Sequence, residues 1–151
     1  MTPESNTAQP ACLGRAAAWL AKQVEIGLDA ADLSLPQYRV LGLLDDSPAV
    51  SSALAERLAV RPPSVTAIVD GLVSRGLVER RTVASDRRRV DHVLTPEGLR
   101  TLRRADDILE SRLNDIAGCL GDPAEQRQAV DGLLSWRPAV VAYRAARKVA
   151  T

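Results

Sequence analysis

The run Asp86-Arg87-Arg88-Arg89 sets one carboxylate against three guanidiniums within four residues. Guanidiniums at a chain reversal can lie along a phosphate backbone, and one of them can enter a narrow minor groove. Asp86 among them reads as an orienting partner that pairs with a neighbour and holds the tip in shape. Upstream, Ser64, Thr66, Ala67, Asp70, Gly71 and Ser74 share one side of a helical register whose other side is Val65, Ile68, Val69 and Leu72. Short side chains and hydroxyls let a helix bring its backbone close to bases and phosphates. An ordinary amphipathic surface helix would show the same pattern. The arginine-rich hairpin that follows it favours a helix set in a DNA groove.

Net charge is only +1 over 151 residues, which implies little. Its distribution says more: from Arg61 to Arg104 ten arginines face five acids, while the remainder carries ten bases and fourteen acids. A basic segment in a slightly acidic chain suits phosphate binding, which needs the attraction focused on one face; a solvated, salt-bridged surface is the alternative. Hydrophobic residues at 46% and charged ones at 26% place the chain among soluble globular proteins. No apolar run approaches the roughly 20 residues of a membrane span. The opening MTPESNTAQP lacks the basic-then-apolar order of a secretory signal, so a cytoplasmic location is expected. Cys12 and Cys119 stand far apart without metal-like spacing and read as reduced, buried or inert thiols. No Gly-rich phosphate loop, nucleophile elbow or catalytic spacing of carboxylates or His–Cys groups occurs, so neither an enzyme nor a cofactor is expected. A single histidine, His92, with no acidic or thiol neighbour at ligand spacing argues against a metal site.

The elements that must position these residues follow from periodicity. Residues 1–10 read as a frayed arm. Leu13, Ala17, Leu20, Val24 and Leu28 form one stripe of a first helix over residues 11–32. A second begins at Ser34, with Pro36 in the first turn, Gln37 at capping-box spacing, and Tyr38, Leu41 and Leu44 inward. Ser51 or Ser52 caps a short third helix that carries Leu54, Ala55 and Leu58, with Val60 plugging the core in the turn. Pro62-Pro63 open the fourth helix, which Gly76 stops in a left-handed conformation. Residues 77–83 and 89–94 alternate as strands. Thr95-Pro96-Glu97 starts a long helix to about Cys119, and Asp122 caps the last one, which Pro138 is expected to kink or split. The fold expected is mainly α with a small β-hairpin wing: a winged helix-turn-helix.

LSLPQYRVLGLL, then SSALAERLAVRPPSVTAIVDGLVSRGLVERR, then DRRRVDHVLTPEG resembles the MarR (multiple-antibiotic-resistance regulator) family, in element order over residues 11–120 and most specifically over 35–100. In that family an Asp-x-Arg pattern marks the wing, the aspartate bracing an arginine that reaches the minor groove; this implies those roles for Asp86 and Arg88, with Arg87 beside them at the tip. The resemblance implies one MarR-like domain over residues 1–151, with a DNA-binding lobe at 34–95 and dimerisation helices at 11–33 and 96–149. It implies a homodimer on a pseudo-palindromic double-stranded site, repression being the family's commoner mode. DNA contacts would come from Arg61, Pro62, Ser64, Thr66, Ala67, Asp70, Arg75, Arg87, Arg88 and Arg89. Two departures matter. Arg61 stands where the family often has a small capping residue and adds a phosphate contact. Ala67 stands where a charged or polar residue is usual, which weights readout toward DNA shape and thymine methyls.

Family members commonly release DNA when a small phenolic or aromatic molecule enters a crevice between the dimer helices and the DNA-binding lobe. Trp19, Tyr38 and His92 are the candidate contacts here, although core packing is the commoner role of an aromatic residue on an amphipathic helix. Some relatives sense oxidants through a cysteine early in the first helix, and Cys12 is near such a position. The alternatives are a cysteine-based oxidant sensor and a winged-helix module that binds protein rather than DNA.

Overall fold

The computed structural model describes residues 12–83 and 86–149, the side chains of residues 87, 148 and 149 apart. The expected N-terminal arm, the hairpin residues Ala84 and Ser85 and the Arg87 side chain lie outside what is described. Eight elements follow in order: α1 (Leu13–Asp29), α2 (Leu35–Asp46), α3 (Ser51–Leu58), α4 (Pro62–Ser74), β1 (Val78–Val83), β2 (Asp86–Leu94), α5 (Pro96–Gly118) and α6 (Pro123–Val149). They form two compact units, one running to Leu109 and one from Glu110.

The first unit is built on local signals that agree with its packing. Ser34 and Gln37 close a full capping box: the serine hydroxyl accepts from the Gln37 N–H at 3.4 Å and the Gln37 side chain accepts from the Ser34 N–H at 3.0 Å. That fixes where α2 starts and turns Val40, Leu41 and Leu44 into the core. Leu54, Ala55 and Leu58 of α3, and Val65, Val69 and Leu72 of α4, meet them. Each large apolar side chain fully buried here contributes about 1.5–3 kcal/mol. Leu28 and Ala31 at the end of α1 and Leu102, Ala105 and Leu109 of α5 complete the same core.

Two expectations about the short helices are corrected. Neither Ser51 nor Ser52 caps α3; the N-cap residue is Val50, whose side chain has no acceptor to offer, and the Ser51 hydroxyl lies against the His92 ring. Val60 does not plug the core and is 39% exposed. The turn is closed by the backbone instead: Ala59 takes a left-handed conformation (φ 57°), and the N–H of Val60 reaches back to Ala55 O at 3.1 Å. In the last helix, where Pro138 is expected to kink or split it, the helix runs through the proline unsplit.

Two guanidiniums satisfy carbonyls where α1 ends, a region with no basic residue of its own in the last turn. Arg75, after α4, donates to Asp32 O at 2.7 Å, and Arg104 of α5 donates to Ala30 O at 2.9 Å. At the other end of the hairpin Thr95 caps α5, accepting from the Gly98 N–H at 2.9 Å while donating to Gly76 O at 2.7 Å. Gly98 is required there: a Cβ on it would sit 2.0 Å from Leu77 O. Gly76 itself takes the expected left-handed conformation, at φ +70°.

The second unit differs in kind. From Glu110 on, no described residue is buried. Asp122 begins α6 by accepting from the Ala124 N–H at 2.8 Å. Leu134, Trp136, Val141 and Tyr143 along it are all exposed. No helix of the described residues is long and apolar enough to cross a membrane.

Candidate nucleic-acid interface

α4 presents its outer face as the sequence pattern requires. Val65, Val69 and Leu72 are fully buried, and Ser64, Thr66, Ala67, Asp70 and Ser74 are exposed on the other side. Two hydroxyls turn back onto their own helix, Thr66 to Pro62 O at 3.3 Å and Ser74 to Gly71 O at 2.9 Å, leaving their lone pairs outward. Pro62 and Pro63 lack N–H groups, and the Ser64 N–H is spent on Arg61 O at 3.0 Å. The helix N-terminus therefore offers few free amides to an anion. Positive charge at this end comes from Arg61, an exposed residue in the N-cap position.

β1 and β2 pair antiparallel with Val78 opposite Leu94, Arg80 opposite His92 and Thr82 opposite Val90, and the register breaks between Thr82 and Val83. Beyond the break, Asp86 accepts a hydrogen bond from the Arg88 N–H at 3.0 Å. The carboxylate thus holds the backbone of the arginine two residues on, and the sequence could not say which atom it would hold. Three other guanidiniums of the hairpin have carboxylate partners. Arg89 donates to Asp91 at 2.8 Å, which pushes its pKa up; Arg81 pairs with Glu79; and Arg80 pairs with Asp70 of α4. Among the described residues Arg88 and Arg61 have no ion-pair partner.

Asp70 and Arg75, both named from the sequence, thus have intramolecular partners. Asp70 ties α4 to β1, and Arg75 holds the turn after α1. Sequence reasoning missed Arg80, because its position in a run of alternating strand residues gave no sign of a partner ten residues back.

The three aromatic candidates occupy different surroundings. Trp19 is 73% exposed on α1 rather than packed in a core. Tyr38 is half-buried and donates to Asp106 at 2.6 Å. His92 is buried, with its ring bonded to Ser51. Both thiols are exposed, not buried. That of Cys12 is shifted down, first by a backbone hydrogen bond from Arg15 and then by the Arg15 side chain.

A two-stranded wing after a helix-turn-helix whose second helix carries a small-residue outer face defines a winged helix-turn-helix protein. The MarR family's sequence pattern matches residues 31–89. The HTH-type transcriptional repressor Rv2887 of Mycobacterium tuberculosis is 31% identical over 100 residues, 66% of this chain and 72% of that one. The chain belongs to the MarR family. A protein of Thauera aromatica named as regulatory for the hcr operon is 33% identical over 98 residues; the match takes in 64% of this chain but only 58% of that relative's length. Among solved structures, the transcriptional repressor CouR bound to a 23-mer DNA duplex superimposes with a TM-score of 0.70 at 30% identity, covering 85% of this chain and 89% of that one. Rv2887 in complex with p-aminosalicylic acid does so with a TM-score of 0.65 at 25% identity, covering 83% and 95%. These relatives are named as regulators and repressors of transcription, not as enzymes.

Proposed function

We propose that this chain is a cytoplasmic transcription regulator that binds double-stranded DNA as a homodimer and represses from a pseudo-palindromic site. The observation that carries the reading is the pairing of α4's unobstructed outer face with a hairpin in which Asp86 fixes the backbone of Arg88. Ser64, Thr66 and Ala67 lie in the major groove, where their short side chains weight readout toward shape and thymine methyls. Arg88, with Arg87 and Arg89 beside it, takes the minor groove, and Arg61 and Pro62 lie against the backbone. Asp70 and Arg75 set the position of the reading helix through Arg80 and Asp32.

Dimerisation draws on α1 and on α5 and α6. Leu13 and Trp19 on α1, and Leu134, Trp136, Val141 and Tyr143 on α6, are exposed in the single chain. A second copy is the occupant that would cover them, and two copies of α4 would then address half-sites about one helical turn apart. A small aromatic acid is the effector class, by analogy with Rv2887 and its p-aminosalicylic acid; Trp19 and Tyr38 are the candidate contacts, His92 being engaged with Ser51.

The test is Arg88→Ala on a duplex selected from a random pool. Affinity should fall on every sequence and the slope of log affinity against log salt should flatten by about one counterion. An unchanged slope would favour the protein-binding alternative. One observation supports a second mode of release: the exposed Cys12 thiol is shifted toward its reactive form. Release of the duplex by peroxide, abolished in Cys12→Ser, would establish it.

A further inference from the structure

His92 is the chain's one histidine, and at 3% exposure it is the buried polar side chain of the described residues. It joins β2 to the segment entering α3 in three ways. Its N–H donates to Ala49 O at 2.8 Å, its carbonyl accepts from the Ala49 N–H at 3.2 Å, and its ring Nε2 lies 2.8 Å from Ser51 Oγ. Across the hairpin it stands opposite Arg80, whose guanidinium holds Asp70 on α4. His92 therefore ties β2 to the start of α3, while its cross-strand neighbour Arg80 ties the wing to α4. We propose that the uncharged imidazole of His92 is the positioning group that fastens the wing to the start of α3, so that protonating it loosens the wing and weakens the grip on DNA. The proposal rests on the DNA-binding reading above.

The chemistry follows from counting donors. The ring's Nδ1 is enclosed and has no hydrogen-bond partner among the described residues. A neutral imidazole has one nitrogen satisfied by Ser51. An imidazolium carries two N–H donors, and the second would be buried with no acceptor. Charges face the ring from three elements: Arg80 of β1 opposes a positive ring, while Asp70 of α4 and Asp91 of β2 favour one. α3 offers only the Ser51 hydroxyl, and on α2 Arg39 is turned to Leu58 O and Asp46 to Arg57. Burial first, then Arg80, moves the ring's pKa below the ordinary histidine value. The stabilisation is complete above the unfolded value of about 6.5 and is lost as pH falls through the lower folded value. The sign is diagnostic, since a proton added near phosphates would by Coulomb attraction alone tighten binding.

The experiment compares wild type with His92→Gln, whose amide nitrogen can meet Ser51 Oγ but does not titrate. Affinity for a duplex selected at pH 7.5 is measured at constant ionic strength down to pH 5, alongside the histidine-ring carbon resonance, a single signal in this chain. Wild type should lose about ten-fold in affinity, following the ring's titration, because one coupled proton changes affinity up to about ten-fold per pH unit. His92→Gln should match wild type within about two-fold at pH 7.5 and lack the step. Flat or rising wild-type affinity, or the same step in His92→Gln, overturns the proposal. Should His92→Gln not fold, Ser51→Ala decides, because removing the ring's one hydrogen-bond partner must move the step along the pH axis; an unmoved step overturns the proposal. If no duplex binds at pH 7.5 the DNA reading fails by itself. β1 and β2 amide resonances then report the fastening: movement with the ring's titration supports it, and unmoved signals end it.

Discussion

α4 and α6 divide the work of an amphipathic helix in opposite ways. α4 commits Val65, Val69 and Leu72 fully to its own chain's core and leaves small polar residues outside. α6 is more than twice as long, buries none of its described side chains, and leaves Trp136 60% and Val141 63% exposed. The contrast extends to the two units that hold them: the core residues all lie at or before Leu109. A lobe that closes its core within one chain can present a rigid face to a ligand. A unit that does not leaves large apolar side chains to solvent, which suits the pairing role proposed above for α6.

The contrast can be broken from either side. The largest effect should come from Gly98→Ala, which puts a methyl group into the Leu77 carbonyl; we expect a loss of about 3 kcal/mol in denaturant unfolding, from overpacking against backbone that cannot move aside. Trp136→Asp with Leu134→Glu should leave the first unit's near-native circular dichroism intact while weakening self-association by about 2 kcal/mol or more per anchor, read by sedimentation equilibrium. If association is unchanged, the second unit is not the pairing surface. Ser34→Ala removes the α2 cap and should cost about 1 kcal/mol of stability without altering association. Thr66→Ala should leave stability within about 0.5 kcal/mol and shift preference between selected duplexes by about 1 kcal/mol, seen in competition binding. Equal loss on all sequences would contradict a reading role.

Local physics made much of the first unit legible in the sequence. Ser34, Pro36 and Gln37 spell a helix start that needs no distant partner, and the four-residue core stripe of α4 follows from helical period alone. The wing was legible because arginines at a chain reversal are unusual and Asp86 stands among them. What could not be read were choices made across long separations. Ser51 has the composition of a cap, yet its hydroxyl goes to His92, 41 residues away. Arg75 has the look of a phosphate contact and bonds a carbonyl 43 residues back. Trp19 was expected inside on the frequency with which such residues pack; whether a stripe finds cover within its own chain depends on which helices lie beside it, and periodicity carries no such information.

The Gly98 contact has a mechanical consequence. Gly98 brings the first turn of α5 against the Leu77 carbonyl with no Cβ between them, and the Thr95 hydroxyl ties the Gly98 N–H to that same carbonyl, so the joint has little slack. A push along α5 reaches the root of the hairpin without backlash, as through a rigid coupling rather than a spring. The start of that helix and the root of the wing therefore share one hydrogen-bonded joint.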